Sequence, residues 1–358
     1  MKLDKRKILY IIVPLLLFVG LFCFAIPLAR VIESRQYKDL PTHFSIYDGQ
    51  KFFDEAYDIG ERLRQDTLKT VYGGIVPHHL MVRDYIGGFF LGLENQDYDE
   101  VVIIGPNHFQ VGRKKIITSE GRWSTPYGEI YPNLDLINKI AKLENAEIDE
   151  EPFVNEHAIT GLVSFVKKSF PNASITPIIL REDLSSEDSE RIAKIIDDNV
   201  SAKKTLVLAS VDFSHYQFAQ VADYHDERSN SIIQSFDFDR VHDMEIDSPP
   251  SIYTVLKYLE MQEAKKAEKI YSTNSGNLIS KFDEPTTTHN FYYFLKGELF
   301  DEKIVSMLMI GDLMLDRYVK SLVERNKIES LFEKLAGGEK RFFMGQDIVS
   351  ANLEGAVT

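Results

Sequence analysis

Three runs in this chain end in side chains able to hold a metal or move a proton. Gly73-Gly74-Ile75-Val76-Pro77-His78-His79 closes on a proline and two histidines. Val101-Val102-Ile103-Ile104-Gly105-Pro106-Asn107-His108 closes on Asn and His, and Thr205-Leu206-Val207-Leu208-Ala209-Ser210-Val211-Asp212-Phe213-Ser214-His215 on Asp and His. Imidazole ligates divalent metals and titrates near neutrality, so these residues suit coordination or acid–base work. A single histidine at a strand end is more often a structural residue than a ligand; three repeats of one pattern favour a shared site. Glu156-His157 opens a segment with the apolar face Ile159, Leu162, Val163, Phe165 and Val166, and is read either as part of the site or as a helix cap. Asp247, just before Pro249-Pro250, is by itself an ordinary helix-start acid, and its weight depends on the histidines. His225 and Asp226 fall on a long helix expected over 216–236 and are read as a solvated face.

The elements that must position these residues alternate. Apolar strand-like runs at 71–76, 98–105, 174–180 and 205–211 are separated by helical patterns at 80–93, 134–143, 157–166 and 186–200. That alternation predicts the fold class α/β, a largely parallel or mixed sheet covered by helices, and ligands in such sheets sit at the carboxyl ends of the strands. Gly121–Gly128 is read as a surface loop with one packed tryptophan.

Composition narrows the partners. The chain has 358 residues, 44% hydrophobic, and a net charge of -14 from 41 Lys+Arg against 55 Asp+Glu. No basic stripe is available to neutralise phosphates, so no nucleic-acid partner is expected. The one cysteine, Cys23, provides neither an intramolecular disulfide nor a cysteine metal site. Lys2, Lys5, Arg6 and Lys7 precede an uncharged run from Ile8 to Leu28, about long enough to cross a bilayer. Residues 1–30 are therefore read as a single-pass membrane anchor with the main domain extracytoplasmic. A cleaved signal peptide is the rival reading, although no Ala-x-Ala site is evident. Residues 31–67 read as a juxtamembrane linker and helix, with Phe52, Phe53, Ala56, Tyr57 and Ile59 giving a partial apolar face.

Pro77-His78, Gly105-Pro106-Asn107-His108, Glu156-His157-Ala158-Ile159 and Ser210-Val211-Asp212-Phe213-Ser214-His215-Tyr216, in this order, resemble the Memo-like family, also called AmmeMemoRadiSam system protein B. The resemblance covers Val71 to Leu295 and implies a domain over 68–298 shaped like the class III extradiol dioxygenases, with a non-haem metal pocket. It implies His78 and His108 as ligands, His215 as the acid/base, and a small-molecule substrate of unknown identity. The third ligand is a cysteine in animal Memo proteins and a glutamate in the dioxygenases. This chain has no cysteine there, and Asp247 is the nearest candidate. His79, Glu156, His157 and Asp212 complete the candidate pocket. Two histidines and a carboxylate favour Fe(II), with Zn or Cu as alternatives. The leading functional reading is a metal-dependent oxidoreductase. The rivals are a non-catalytic metal-binding or accessory protein linked to capsule or cell-envelope polymer synthesis, and a zinc hydrolase with the same ligands.

A second resemblance lies in residues 303–358. Gly311-Asp312-Leu313-Met314-Leu315-Asp316-Arg317 and Gly345–Gly355 resemble the opening motifs of the CapA family, the poly-gamma-glutamate capsule proteins with a metallophosphoesterase-like fold. The matching metal positions are Asp312, Asn352 and Glu354. Only the first part of such a domain is represented, so the segment is read as truncated, and its removal is expected to leave the first domain folded.

Overall fold

Runs rich in valine and isoleucine with no polar face must be covered on both sides, and four of them form the parallel centre of a nine-stranded mixed sheet. The strands Val71–Val76, Thr205–Ser210, Glu100–Pro106 and Ser174–Leu180 lie side by side in that order. On one flank Thr286–Leu295 runs antiparallel to Val71–Val76 and also pairs with Lys266–Asn274 and His215–Gln217. On the other, Ile116–Thr118 runs antiparallel to Ser174–Leu180 and is followed by Ala146–Ile148. This computed structural model describes residues 37, 39–281, 284–300, 304–327, 343 and 346–354. The anchor expected over 1–30 lies outside the described residues, among which no helix is long and apolar enough to cross a membrane. The chain divides into the units Met1–Thr42 and His43–Thr358, and the second carries the sheet.

The period-two alternation of the strands divides the core between the two faces. Val101 and Ile103 join one hydrophobic cluster, Val102 and Ile104 the other. Helices Gln50–Gly60, Arg83–Leu91 and Val163–Ser169 supply Phe53, Phe90 and Phe165 to the first. Helices Ser186–Asn199, Ala219–Ser235 and Pro249–Met261 supply Ile192, Ile232 and Leu256 to the second. The packed core thus begins upstream of residue 68, because Phe53 and Ala56 of the first helix are fully buried. That helix approaches so closely that a side chain at Gly87 would meet the Ala56 carbonyl at 2.5 Å.

Two local expectations change. The segment read as a loop forms a hairpin, Arg122–Thr125 with Gly128–Ile130, turned by Gly128 at φ 108°, and Trp123 is fully buried. The helix expected over 216–236 is shortened to Ala219–Ser235, because His215–Gln217 joins the sheet edge. His225 and Asp226 are buried on it, not solvated. They share a face with Ala222, Ser229 and Ile232. Asp226 accepts hydrogen bonds from Thr288 at 2.8 Å and Asn290 at 2.7 Å, and burial pushes its carboxyl up to about 7.

The C-terminal segment forms a parallel pair, Met307–Met314 with Ile348–Glu354, and a helix, Arg317–Asn326. Asn352 donates to Asp312 at 2.6 Å, so two of the three CapA-like positions are neighbours. The segment is also tied to the main sheet's covering helix. Asp347 Oδ1 accepts from Arg228 at 3.2 Å and Arg240 at 3.0 Å, while its Oδ2 accepts from the Ser306 backbone at 2.7 Å. Arg228 is only 4% exposed, and its other hydrogen bond goes to the Asp243 carbonyl at 3.1 Å. Removing Asp347 therefore strips a buried guanidinium of its nearest carboxylate. Against the expectation from sequence, Asp347→Ala, or deletion of 303–358, should cost about 2 kcal/mol or more in urea unfolding. An unchanged midpoint would show that Arg228 is satisfied without the tail.

Candidate metal centre

The parallel strands end where the sequence places its chemistry. Val76 leads through Pro77, which cannot donate to the ladder, to His78. Pro106 leads to Asn107-His108, and Ser210 leads to Asp212. Asp247 comes from the segment before helix Pro249–Met261. It is tied to Asp212 by two reciprocal bonds: the Asp212 N–H donates to Asp247 Oδ2 at 3.1 Å, and the Asp247 N–H to the Asp212 carbonyl at 3.2 Å. Glu156 and His157 reach the cluster because the short helix His157–Thr160 lies against the strand end at Gly105, where a Cβ would sit 2.8 Å from Ala158.

Each histidine's tautomer follows from its partners. Ser210 Oγ donates its only proton to the Ala158 carbonyl at 2.7 Å, so at 3.1 Å it must accept from His78 Nδ1–H. Burial holds His78 neutral, pulling it down to about 3, with Asp212 opposing and His108 and His157 adding to the fall. The bare Nε2 lone pair of His78 then faces Asp247 Oδ2 at 3.4 Å and Asp212 Oδ2 at 3.5 Å. His108 is oriented in the same way: its Nδ1–H donates to Glu156 Oε1 at 2.7 Å, and its Nε2 lies 3.7 Å from Asp247 Oδ2. Glu156 also accepts the backbone N–H of His108 at 2.9 Å and of Ala158 at 3.0 Å. The cap reading of Glu156 holds, and the same carboxylate that starts the helix also orients the His108 imidazole.

The electrostatics would suit a bound cation. Burial pushes Asp247 above the ordinary carboxylate range, Asp212 adds to the rise, and His108 opposes it. Burial alone would lower His108, but Asp247 and Glu156 drive it up to about 10. Asp247 Oδ1 is buried without a hydrogen-bond partner. Donors spaced 3.4 and 3.7 Å apart match neighbouring ligands around one ion with bonds of about 2.0–2.2 Å. The ligand atoms of His78, His108 and His157 lie within 4.8 Å of one another, as do those of His78, Asp212 and Asp247. His157 stacks on His108 with ring centroids 4.1 Å apart.

His215 lines a cavity of about 220 Å³ together with His108 and Asp247. Its backbone N–H donates to Glu245 Oε1 at 3.3 Å, and the other oxygen of Glu245 faces His225 Nδ1 at 3.3 Å. His79 stands apart from both ligand groups: it is exposed and stacks on His289 at 5.5 Å. His289 is the residue the sequence reading missed. It is fully buried, with Nδ1 3.2 Å from Asp212 Oδ1, and it lies mid-strand in an aromatic run that gives no sequence signal.

Histidines and carboxylates gathered at the carboxyl edge of parallel strands define the class, an α/β protein with a histidine–carboxylate pocket that could hold a divalent metal. The chain belongs to the Memo-like family: residues 51–285 match the family model described as Memo-like protein. A MEMO1 family protein of Caldivirga maquilingensis is 30% identical over 186 residues, 49% of this chain and 65% of that one. One of Thermoplasma acidophilum is 28% identical over 248 residues, 64% of this chain and 90% of that one. Against three of these relatives the match spans only 58–65% of their length. An uncharacterized Escherichia coli K12 protein of solved structure covers 61% of this chain and 98% of its own at a TM-score of 0.43 and 10% identity, too slight a likeness to bear on function.

Replacing His78 or His108 with alanine should abolish binding of a divalent ion, measured by metal analysis and titration calorimetry, because each removes one of few donors. Asp247→Asn should weaken binding less, since an amide oxygen still coordinates without charge. His79→Ala should retain the metal, and its loss there would assign the ligand to the wrong histidine of the pair.

Proposed function

We propose that this protein is a metal-dependent enzyme of the oxidoreductase type, with a divalent ion held by His78, His108 and Asp247 and with His215 as the proton-transfer group. The observation carrying this reading is the pair of imidazole nitrogens, Nε2 of His78 and of His108, that converge on one buried carboxylate beside an open cavity. Two histidines and one carboxylate are the donor set of non-haem Fe(II) sites with open positions, so Fe(II) is favoured over Zn or Cu. When bound, such an ion polarises a substrate oxygen or supplies redox chemistry. His215, on the wall of the same cavity, takes up or returns the substrate's proton, while Glu156 and Ser210 keep the ligand rings in their metal-ready tautomers.

The pH dependence follows from the same groups. His108, raised to about 10, keeps its proton at neutral pH in the metal-free protein, so metal uptake must expel it. Apparent affinity should therefore rise with pH, about tenfold per unit for each proton released, across the neutral range. A flat profile between pH 6 and 8 would mean that His108 is not a ligand. His215→Ala should keep metal content while losing turnover, and metal loss would make His215 a ligand instead.

Residues 1–30 are proposed to tether this domain to a membrane with the bulk of the chain on the extracytoplasmic side, supported by the cationic cluster ahead of the uncharged run. Protease added to intact spheroplasts should then digest the main domain, and full protection would refute that orientation. A link to envelope polymer chemistry rests on the CapA-like motif around Asp312, Asn352 and Glu354 and is proposed on that resemblance alone.

A further inference from the structure

The fourth parallel strand delivers a residue that the metal centre does not use. Ser174–Leu180 ends beside Glu100–Pro106, and two residues beyond its last, Glu182 lines the cavity shared by His108, His215 and Asp247. We infer that this cavity takes a small molecule carrying a protonated amine, with Glu182 as its counter-ion. The inference rests on the cavity being the substrate site of the proposed enzyme and names the class of molecule that enters it.

The lining leaves few other groups to read a ligand. No lysine or arginine is among it. The neighbouring Arg181 is turned to the loop, donating to the carbonyls of Gln110 at 3.2 Å and Gly112 at 2.6 Å. The side-chain amides of Asn107 and Gln110 are already engaged, donating to the Val111 carbonyl at 2.7 Å and the Asn107 carbonyl at 3.0 Å. Glu182 is exposed and makes no hydrogen bond or ion pair among the described residues. A divalent ion would meet the carboxylates of Asp247, Asp212 and Glu156, so the centre would hold no surplus positive charge to attract an anionic group. A phosphate or carboxylate therefore finds no counter-ion here, whereas an ammonium finds Glu182. At about 220 Å³ the space is smaller than the roughly 300–1,000 Å³ of pockets for drug-sized ligands, which restricts the occupant to about one ring or a short chain. Two residues of the wall, Gln110 at φ 53° and Tyr216 at φ 58°, hold left-handed backbone without being glycine, as residues at shaped binding sites often do.

The test uses the full chain loaded with Zn(II) and three probes of one size and different charge: benzylamine, benzyl alcohol and benzoate, followed by titration calorimetry. Benzylamine should bind at least about threefold more tightly than benzyl alcohol, the increment of a water-exposed ion pair, and benzoate most weakly. Glu182→Gln should bring benzylamine to the level of benzyl alcohol while leaving metal content and benzyl alcohol binding unchanged. Equal binding of the three probes, no binding of any of them to metal-loaded protein, or a preference that survives Glu182→Gln would overturn the inference. Metal content measured alongside separates the two readings. A chain that takes up no metal refutes the metal centre, whereas a metal-loaded chain without the preference refutes the amine site alone.

Discussion

A lone pair pointed at a buried carboxylate is repulsive unless something positive stands between them. His78 is fixed in that position from behind, because Ser210 spends its proton on the Ala158 carbonyl and must accept from His78 Nδ1. His108 is held from behind by Glu156, and in the metal-free protein its own proton lies between Nε2 and Asp247. Both Nε2 atoms then converge on Asp247, which water barely reaches. A divalent ion held there would take the place of the His108 proton and relieve the opposition between the His78 lone pair and Asp247. The neighbouring structure makes sense as the apparatus that holds this conflict in place.

Parallel strands are well suited to that task. Their carboxyl ends all face one edge, so residues far apart in sequence arrive together without long loops. The glycine at 105 lets the short helix bearing Glu156 and His157 lie against a strand end, and the reciprocal hydrogen bonds between Asp212 and Asp247, one to a carboxylate and one to a carbonyl, lock two loops to each other. Behind them, apolar residues on both faces of the sheet leave the strands little freedom to shift.

Much of this was legible in the sequence, because strand ends are marked by a change from branched apolar residues to proline, glycine and histidine. His78, His108 and Asp212 carried that mark, and the order of the motifs identified the family. What the sequence could not carry was pairing across the chain. Ser210 reads as a small residue in a strand, and His289 as one letter in Thr288-His289-Asn290-Phe291, until folding sets each against a partner at the site. His225 and Asp226 looked solvated because polar residues on a helix usually are. They are buried because the helix packs its polar stripe against Thr288 and Asn290, which satisfy Asp226. The tail's attachment was invisible for the same reason: Asp347 and Arg228 are over a hundred positions apart.

The same energetics bears on which carboxylate serves as the third ligand. Asp212 and Asp247 stand at nearly equal distance from His78 Nε2, 3.5 and 3.4 Å, so distance alone does not choose. Their surroundings differ. Asp212 already has a hydrogen-bond partner, since its Oδ1 faces His289 Nδ1 at 3.2 Å. Burial raises Asp247, its Oδ1 has no hydrogen-bond partner, and both His78 and His108 face its Oδ2. A cation gains most where negative charge is least compensated, which favours Asp247 as the proposed ligand. It leaves Asp212, braced by His289, as the fixed charge that keeps Asp247 from being stable without an ion.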